Sequence, residues 1–145
     1  MSDQNVSLGR CVLAGSVAGM VGALLANLAL LVLTAHFGQS FDQLNWFSIT
    51  RASMISCVLG GFVYYALSCW TKRPLVWFIV VGLAVATLDS VLVWRHPPEP
   101  GFARIANPLH YVVTIIALVF IPALAPVFPQ TTSNRSNPPP VPTRS

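Results

Sequence analysis

The segment CVLAGSVAGMVGALLANLALLVLTA, residues 11–35, contains no Asp, Glu, Lys or Arg and lies between Arg10 and His36. A helix crosses the hydrocarbon core of a bilayer with about 20 apolar residues. A cleavable signal sequence has a shorter apolar stretch, of about 7–15 residues. We therefore expect this segment to be a transmembrane helix that stays in the protein.

Three further apolar segments follow, and Lys or Arg residues border them rather than interrupt them. They cover residues 52–70, 74–94 and about 107–128. None alternates apolar and polar residues as barrel strands do, and at this length only a helix satisfies its backbone groups within the segment. The sequence predicts an all-α fold, a four-transmembrane-helix bundle over residues 11–129. A short N-terminus (1–10) precedes it, and a disordered Pro-rich tail (130–145) follows.

The composition excludes several classes of protein. Of the 145 residues, 54% are hydrophobic and only 8% are charged, whereas soluble domains carry about 25% charged residues. The eight Lys and Arg residues are spread along the chain, and Lys72 and Arg73 are the one adjacent pair, so the net charge of +4 forms no basic patch for nucleic acid. Cys11, Cys57 and Cys69 have neither CxxC spacing nor an even count, and we interpret them as free thiols.

The distribution of Lys and Arg predicts the orientation. With four spans, both termini lie on the same side as the loop between the second and third helices. That side carries Arg10, Lys72, Arg73, Arg135 and Arg144, and the opposite side carries Arg51, Arg95 and Arg104. The positive-inside rule then places both termini in the cytoplasm. We expect a bacterial plasma membrane, and a short interfacial helix within the first outer loop, residues 37–50.

Small residues recur at helical spacing on the first three helices. They are Gly15, Gly19 and Ala23 on the first, Gly60 and Gly61 on the second, and Gly82 and Ala86 on the third. Small residues let membrane helices approach closely, because hydrophobicity does not drive association inside lipid. These stripes favour a non-enzymatic accessory or oligomer-forming component, whose partners are the bilayer and either further copies or a larger membrane complex.

One polar constellation is a candidate site. Asn27, Arg51, Ser56, Asp89 and His110 all fall in the outer half of the predicted bundle, with Arg51 at the rim and His110 about 5 Å deep. Ionisable residues within membranes are usually paired or functional. The group could clamp the helices together, or it could serve ligand binding, transport or proton relay.

A third hypothesis is a cofactor-bearing electron-transfer subunit, with a metal or haem held by histidines. The three histidines show no ligand pair at i, i+3 or i+4 spacing, and His110 alone lies clearly within a predicted helix. We therefore predict no metal and no cofactor. No hydrolase, zinc-protease or nucleotide-binding motif occurs either, so we predict no catalytic residue.

The chain resembles a family of small four-helix bacterial membrane proteins known only as a domain of unknown function. The resemblance covers about residues 10–129 and is carried by Asn27, Ser90, His110 in the sequence Asn107-Pro108-Leu109-His110, and Pro122. Asp89 and the Pro-rich second outer loop depart from that pattern. The resemblance implies the four-helix fold, and it implies no activity.

Overall fold

A computed structural model of the protein describes residues 6–127, and this part of the chain folds into four α-helices without a strand. They are α1 (Leu8–Phe37), α2 (Trp46–Trp70), α3 (Pro74–Arg95) and α4 (Phe102–Leu124). Each helix is long and apolar enough to cross a membrane. The predicted all-α fold with four candidate spans is confirmed, and the predicted tail, 130–145, lies outside the described residues.

The first and third helices begin and end close to their predicted limits. Gly38 adopts a left-handed conformation with a φ of 64°, and its N–H donates to the Thr34 carbonyl at the end of α1. Glycine takes this conformation without steric cost, so it ends a helix well. Pro74 is the first residue of α3, where its missing N–H is not needed.

The second helix begins earlier than predicted. The N–H of Ser48 donates to the Asn45 side chain at 2.9 Å, and this capping bond starts α2 at Trp46 rather than near Ala52. An Asn cap satisfies one of the free N–H groups at a helix start. The prediction of a separate interfacial helix within residues 37–50 was therefore wrong. Trp46 and Phe47 belong to α2, and residues 38–45 form turns and irregular backbone.

The fourth helix also begins earlier, at Phe102 instead of near residue 107. Gly101 precedes it with a φ of 88°, and the Phe102 ring packs edge-on against Phe41 with 5.5 Å between the ring centroids. Pro108 lies inside the helix. This packing holds the first turn of α4 in place although proline removes one backbone donor.

The four helices run alternately in opposite directions. We call the end with Phe37, Trp46, Arg95 and Phe102 the outer end, and the end with Leu8, Trp70 and Pro74 the inner end. Helix α1 packs closely against α2 and α4. Helix α3 packs on α4 and meets α2 through Phe78, whose ring lies 5.2 Å from that of Tyr64. The buried core forms one cluster toward each end.

The surface of the bundle is largely apolar. Large apolar side chains are exposed on all four helices. The tryptophans lie near the two ends, with Trp46 and Trp94 at the outer end and Trp70 and Trp77 at the inner end, and each is more than half exposed. Tryptophan belts of this kind are typical of proteins at both interfaces of a bilayer.

Candidate functional site

The glycine stripes fix the helix positions that create the site. A Cβ atom added to Gly15 would lie 2.6 Å from the Cys57 carbonyl oxygen, and one added to Gly61 would strike the Cys11 carbonyl. Helices α1 and α2 therefore touch backbone to backbone. The other small residues also lie between helices of this chain, with Gly19 against Met54, Gly60 against Ile121, Gly82 against Leu118, and both Ala23 and Ala86 buried.

Asp89 and His110 are in contact between α3 and α4, and the contact is an ion pair when His110 is protonated. His110 Nδ1 lies 3.2 Å from Asp89 Oδ2, and this is the one ion pair found within residues 6–127. The side chains remain 42% and 46% exposed for His110 and Asp89, respectively. The pair is therefore formed but not buried, and it presents polar atoms to the space beside it.

That space is a cleft between α2 and the α3–α4 pair. Its outer section has a volume of about 520 Å³, and its lining combines apolar side chains such as Leu44, Ile55 and Leu109 with the polar side chains of Gln43, Ser48, Arg51, Ser56, Asp89 and His110. Its inner section, of about 290 Å³, is lined mainly by apolar side chains such as Leu59, Val63, Phe78, Val85, Ala117 and Leu118. Ser56, Asp89, His110 and Val113 line both sections. We call the whole space the lateral cleft.

Arg51 lies deeper than its sequence position indicated. Because α2 begins at Trp46, Arg51 lies about 8 Å along the helix rather than at the rim. The guanidinium carbon lies 5.8 Å from the centroid of the Phe47 ring, a cation–π arrangement that leaves its N–H donors available. His110 is likewise deeper, about 12 Å from Phe102 along α4 instead of 5 Å.

Asn27 is separate from the lateral cleft. Its side chain is 2% exposed and lines neither section of the cleft. The Nδ2 group donates to the Ala23 carbonyl at 2.8 Å and to Thr50 Oγ1 at 3.2 Å. Asn27 thus links α1 to α2, and the predicted constellation divides into a helix contact at Asn27 and a cleft lined by Arg51, Ser56, Asp89 and His110.

The structure brings in polar residues that sequence reasoning had not placed in the site. Gln43 and Ser48 line the outer section, and Thr50 is the partner of Asn27. The sequence places all three in the first outer loop; Ser48 and Thr50 belong to α2, which begins earlier than predicted, whereas Gln43 does lie in the loop. The signal was present in the Asn45 and Ser48 spacing, which is typical of a helix cap.

Two more polar side chains, those of Ser90 and Asn107, are buried, and they lie close in sequence to Asp89 and His110. Ser90, beside Asp89, is 6% exposed, and Asn107, one helical turn before His110, is 9% exposed. Ser90 Oγ and Asn107 Oδ1 have no hydrogen-bond partner within residues 6–127. Within the described residues, neither atom therefore contributes a hydrogen bond between helices.

The histidines do not converge on a metal centre. His36 and His96 are exposed and line neither section of the lateral cleft. No group of three His, Cys, Asp or Glu side chains able to hold a metal ion occurs among the residues that the structure describes. In the same part of the chain, Cys11, Cys57 and Cys69 are free thiols. That no metal or cofactor is bound stays a prediction.

No family model, curated protein or solved structure matches this chain. The resemblance carried by Asn27, Ser90 and His110 therefore stays a prediction. The function has to be argued from the geometry of the lateral cleft.

Proposed function

We propose that the protein is an integral membrane protein of the plasma membrane, with both termini in the cytoplasm, that binds an amphipathic molecule in the lateral cleft. Binding without chemical conversion is the role that we assign to it. The four apolar helices and the tryptophans at both ends support the membrane setting. The lining of the cleft supports the ligand.

One observation carries the proposal: the polar side chains of the cleft are concentrated in its outer section, whereas the lining of its inner section is mainly apolar, and the Asp89–His110 pair lies where the two sections meet. Phe78, which packs against Tyr64, belongs to the lining of the apolar section. A molecule with a polar head and an alkyl chain matches this division, because each part meets a lining of its own polarity.

The cleft is also accessible from the side of the bundle. Leu59 and Val85 line its inner section and are 56% and 61% exposed. In the proposed membrane setting, a bilayer component reaches the apolar section between α2 and α3 without passing through water. Burial of each methylene group of its chain contributes about 0.8 kcal/mol relative to water.

Oligomer formation remains an alternative, although the small-residue stripes support it less than the sequence alone indicates. Gly15, Gly19 and Gly61 contact the neighbouring helix of the same chain, so they are not free to pack against another copy. Transport or proton relay would use the same Asp89–His110 pair and would require the ligand to bind first. Binding is therefore the step that an experiment should test.

The experiment measures whether an alkyl chain occupies the apolar section, and whether a bulky side chain introduced there displaces it. The protein is reconstituted in nanodiscs that contain a phospholipid with a photoreactive diazirine in its acyl chain, and the labelled peptides are mapped. We expect enriched labelling of α2 around Leu59 and Val63. Val85→Trp should reduce it about tenfold, because displacing two methylene groups costs about 1.6 kcal/mol.

The matched control is Leu88→Trp. Leu88 is 70% exposed on the same helix and does not line the cleft, so the same substitution there should leave the labelling of α2 unchanged. Labelling spread evenly over all exposed apolar residues, or an equal loss in both variants, would contradict the proposal.

A further inference from the structure

The charges of the outer section indicate which headgroup the lateral cleft accepts, an inference that rests on the proposed function. The charged or titratable residues that line this section are Arg51 from α2, Asp89 from α3 and His110 from α4, whereas α1 contributes Ala26. Asp89 contacts His110, and Arg51 forms no ion pair within residues 6–127. With His110 protonated, the section carries one uncompensated positive charge.

The orientation of His110 adds a second donor under the same condition. Its Nδ1 atom faces Asp89 Oδ2, so in neutral imidazole Nδ1 carries the proton and Nε2 is an acceptor. Protonation places a second N–H on Nε2. Neutral His110 can therefore only accept a hydrogen bond at Nε2, whereas protonated His110 donates one from Nε2 to a headgroup oxygen.

The size of the outer section separates the classes of anionic amphiphile. At about 520 Å³ it is larger than the apolar section of about 290 Å³. A fatty acid has a small carboxylate head and would leave most of the polar space unfilled. A glycerophosphate headgroup has several oxygen atoms, which Gln43, Ser48 and Ser56 can contact along the same wall. A guanidinium group binds phosphate through parallel N–H donors.

We propose that the lateral cleft binds a phospholipid with a net negative headgroup, whose phosphate is held by Arg51 and whose headgroup oxygens accept a hydrogen bond from protonated His110. The acyl chain occupies the inner section. Asp89 holds His110 in the orientation that directs Nε2 away from α3. Lowering the pH strengthens the interaction, because protonation of His110 adds both a charge and a donor.

The test measures lipid preference by native mass spectrometry of the full chain in a neutral detergent. The protein is titrated with dioleoyl phosphatidylglycerol, dioleoyl phosphatidylcholine and oleic acid at about pH 8 and about pH 6. Wild type should bind phosphatidylglycerol about tenfold more tightly than phosphatidylcholine, a difference of about 1.4 kcal/mol. Both lipids present a phosphate to Arg51, but only phosphatidylcholine carries a quaternary ammonium group, which the net positive charge of the section repels. The preference should be larger at the lower pH.

Substitutions assign the preference to the named residues. Arg51→Gln should bring the ratio of the two phospholipid affinities close to one, whereas Arg51→Lys should retain most of the preference. Arg104→Gln is the matched control, because Arg104 is exposed at the outer end and does not line the cleft. His110→Gln should remove the pH dependence. If Arg51→Gln does not elute as a folded species, wild type and Arg51→Lys still measure the preference.

The outcomes separate this inference from the proposed function. Equal binding of the two phospholipids by wild type, or a preference that survives Arg51→Gln, overturns the inference and leaves amphiphile binding intact. Oleic acid bound as tightly as phosphatidylglycerol overturns the assignment of a phosphate headgroup. Failure of every amphiphile to bind wild type contradicts the proposed function itself.

Discussion

Replacing Gly15 with alanine tests the close approach of α1 to α2, on which the shape of the lateral cleft depends. The new Cβ would lie 2.6 Å from the Cys57 carbonyl oxygen and 3.1 Å from Val58 Cα. Both are backbone atoms of α2, so no side chain can rotate away. The first contact is about 0.8 Å shorter than ordinary van der Waals contact, and overpacking of this kind typically costs about 1–3 kcal/mol.

Alanine also favours a helix over glycine by about 1 kcal/mol, so Gly15→Ala needs a control with the same gain. Gly22 provides it on the same helix, because a Cβ there would lie 3.8 Å from Ile116 and Val113 side chains. The propensity term cancels between the variants. We expect Gly15→Ala to be less stable than Gly22→Ala by about 1–3 kcal/mol.

The assay is reversible unfolding in mixed micelles of a neutral detergent and increasing dodecyl sulfate, followed by circular dichroism at several protein concentrations. The free energy of unfolding is compared between the two variants. Equal stability would refute the close helix contact. A difference that grows with protein concentration would show that Gly15 packs against another copy, as the oligomer hypothesis requires.

Two further predictions concern the ends of helices. Asn45→Ala removes the cap on Ser48 and should lower the free energy of unfolding by about 1 kcal/mol, with faster hydrogen exchange confined to the first turn of α2. Gly101→Ala should destabilise by about 1–2 kcal/mol in the same unfolding assay, because Gly101 has a φ of 88° and a residue with a Cβ atom is strained in this left-handed conformation. Wild-type stability would contradict the cap at Asn45 in the first variant and the left-handed backbone at Gly101 in the second.

The fold was largely predictable because one physical constraint governs it. A long apolar segment without charge has to satisfy its own backbone in lipid, and only a helix does so. The start of α3 at Pro74 follows from the preference of proline for the first turn of a helix, whereas α1 extends past its predicted end at Ala35 to Phe37, where Gly38 caps it. Composition and charge sufficed to delimit most of the bundle.

The starts of α2 and α4 were not predictable from apolar content alone. Polar residues such as Ser48 and Thr50 lowered the hydrophobic signal at the start of α2, while the Asn45 cap extended the helix through them. The sequence predicts that Pro108 lies in the first turn of α4. The helix instead begins at Phe102, which packs against Phe41. That contact joins distant parts of the chain, and no local pattern encodes it.

The candidate site was predictable as a set of residues but not as a geometry. The sequence gives the depth of a residue along its helix but not the direction in which its side chain points. By depth alone, Asn27 was grouped with Asp89 and His110. The rotation of α1 directs Asn27 toward Thr50 and away from the lateral cleft. Helix rotation depends on the backbone contacts at Gly15 and Gly61, which are tertiary interactions.

The exposure of the Asp89–His110 pair constrains what can fill the lateral cleft. An ionised side chain facing hydrocarbon is unfavourable by several kcal/mol, yet nearly half of each side chain is accessible in the isolated chain. Within a bilayer, hydrocarbon is therefore an unfavourable occupant of the outer section. The occupant has to be water or a polar group, while the inner section beneath it favours an alkyl chain. A phospholipid meets both requirements with one molecule, because its polar and apolar parts are joined at the level of the ion pair.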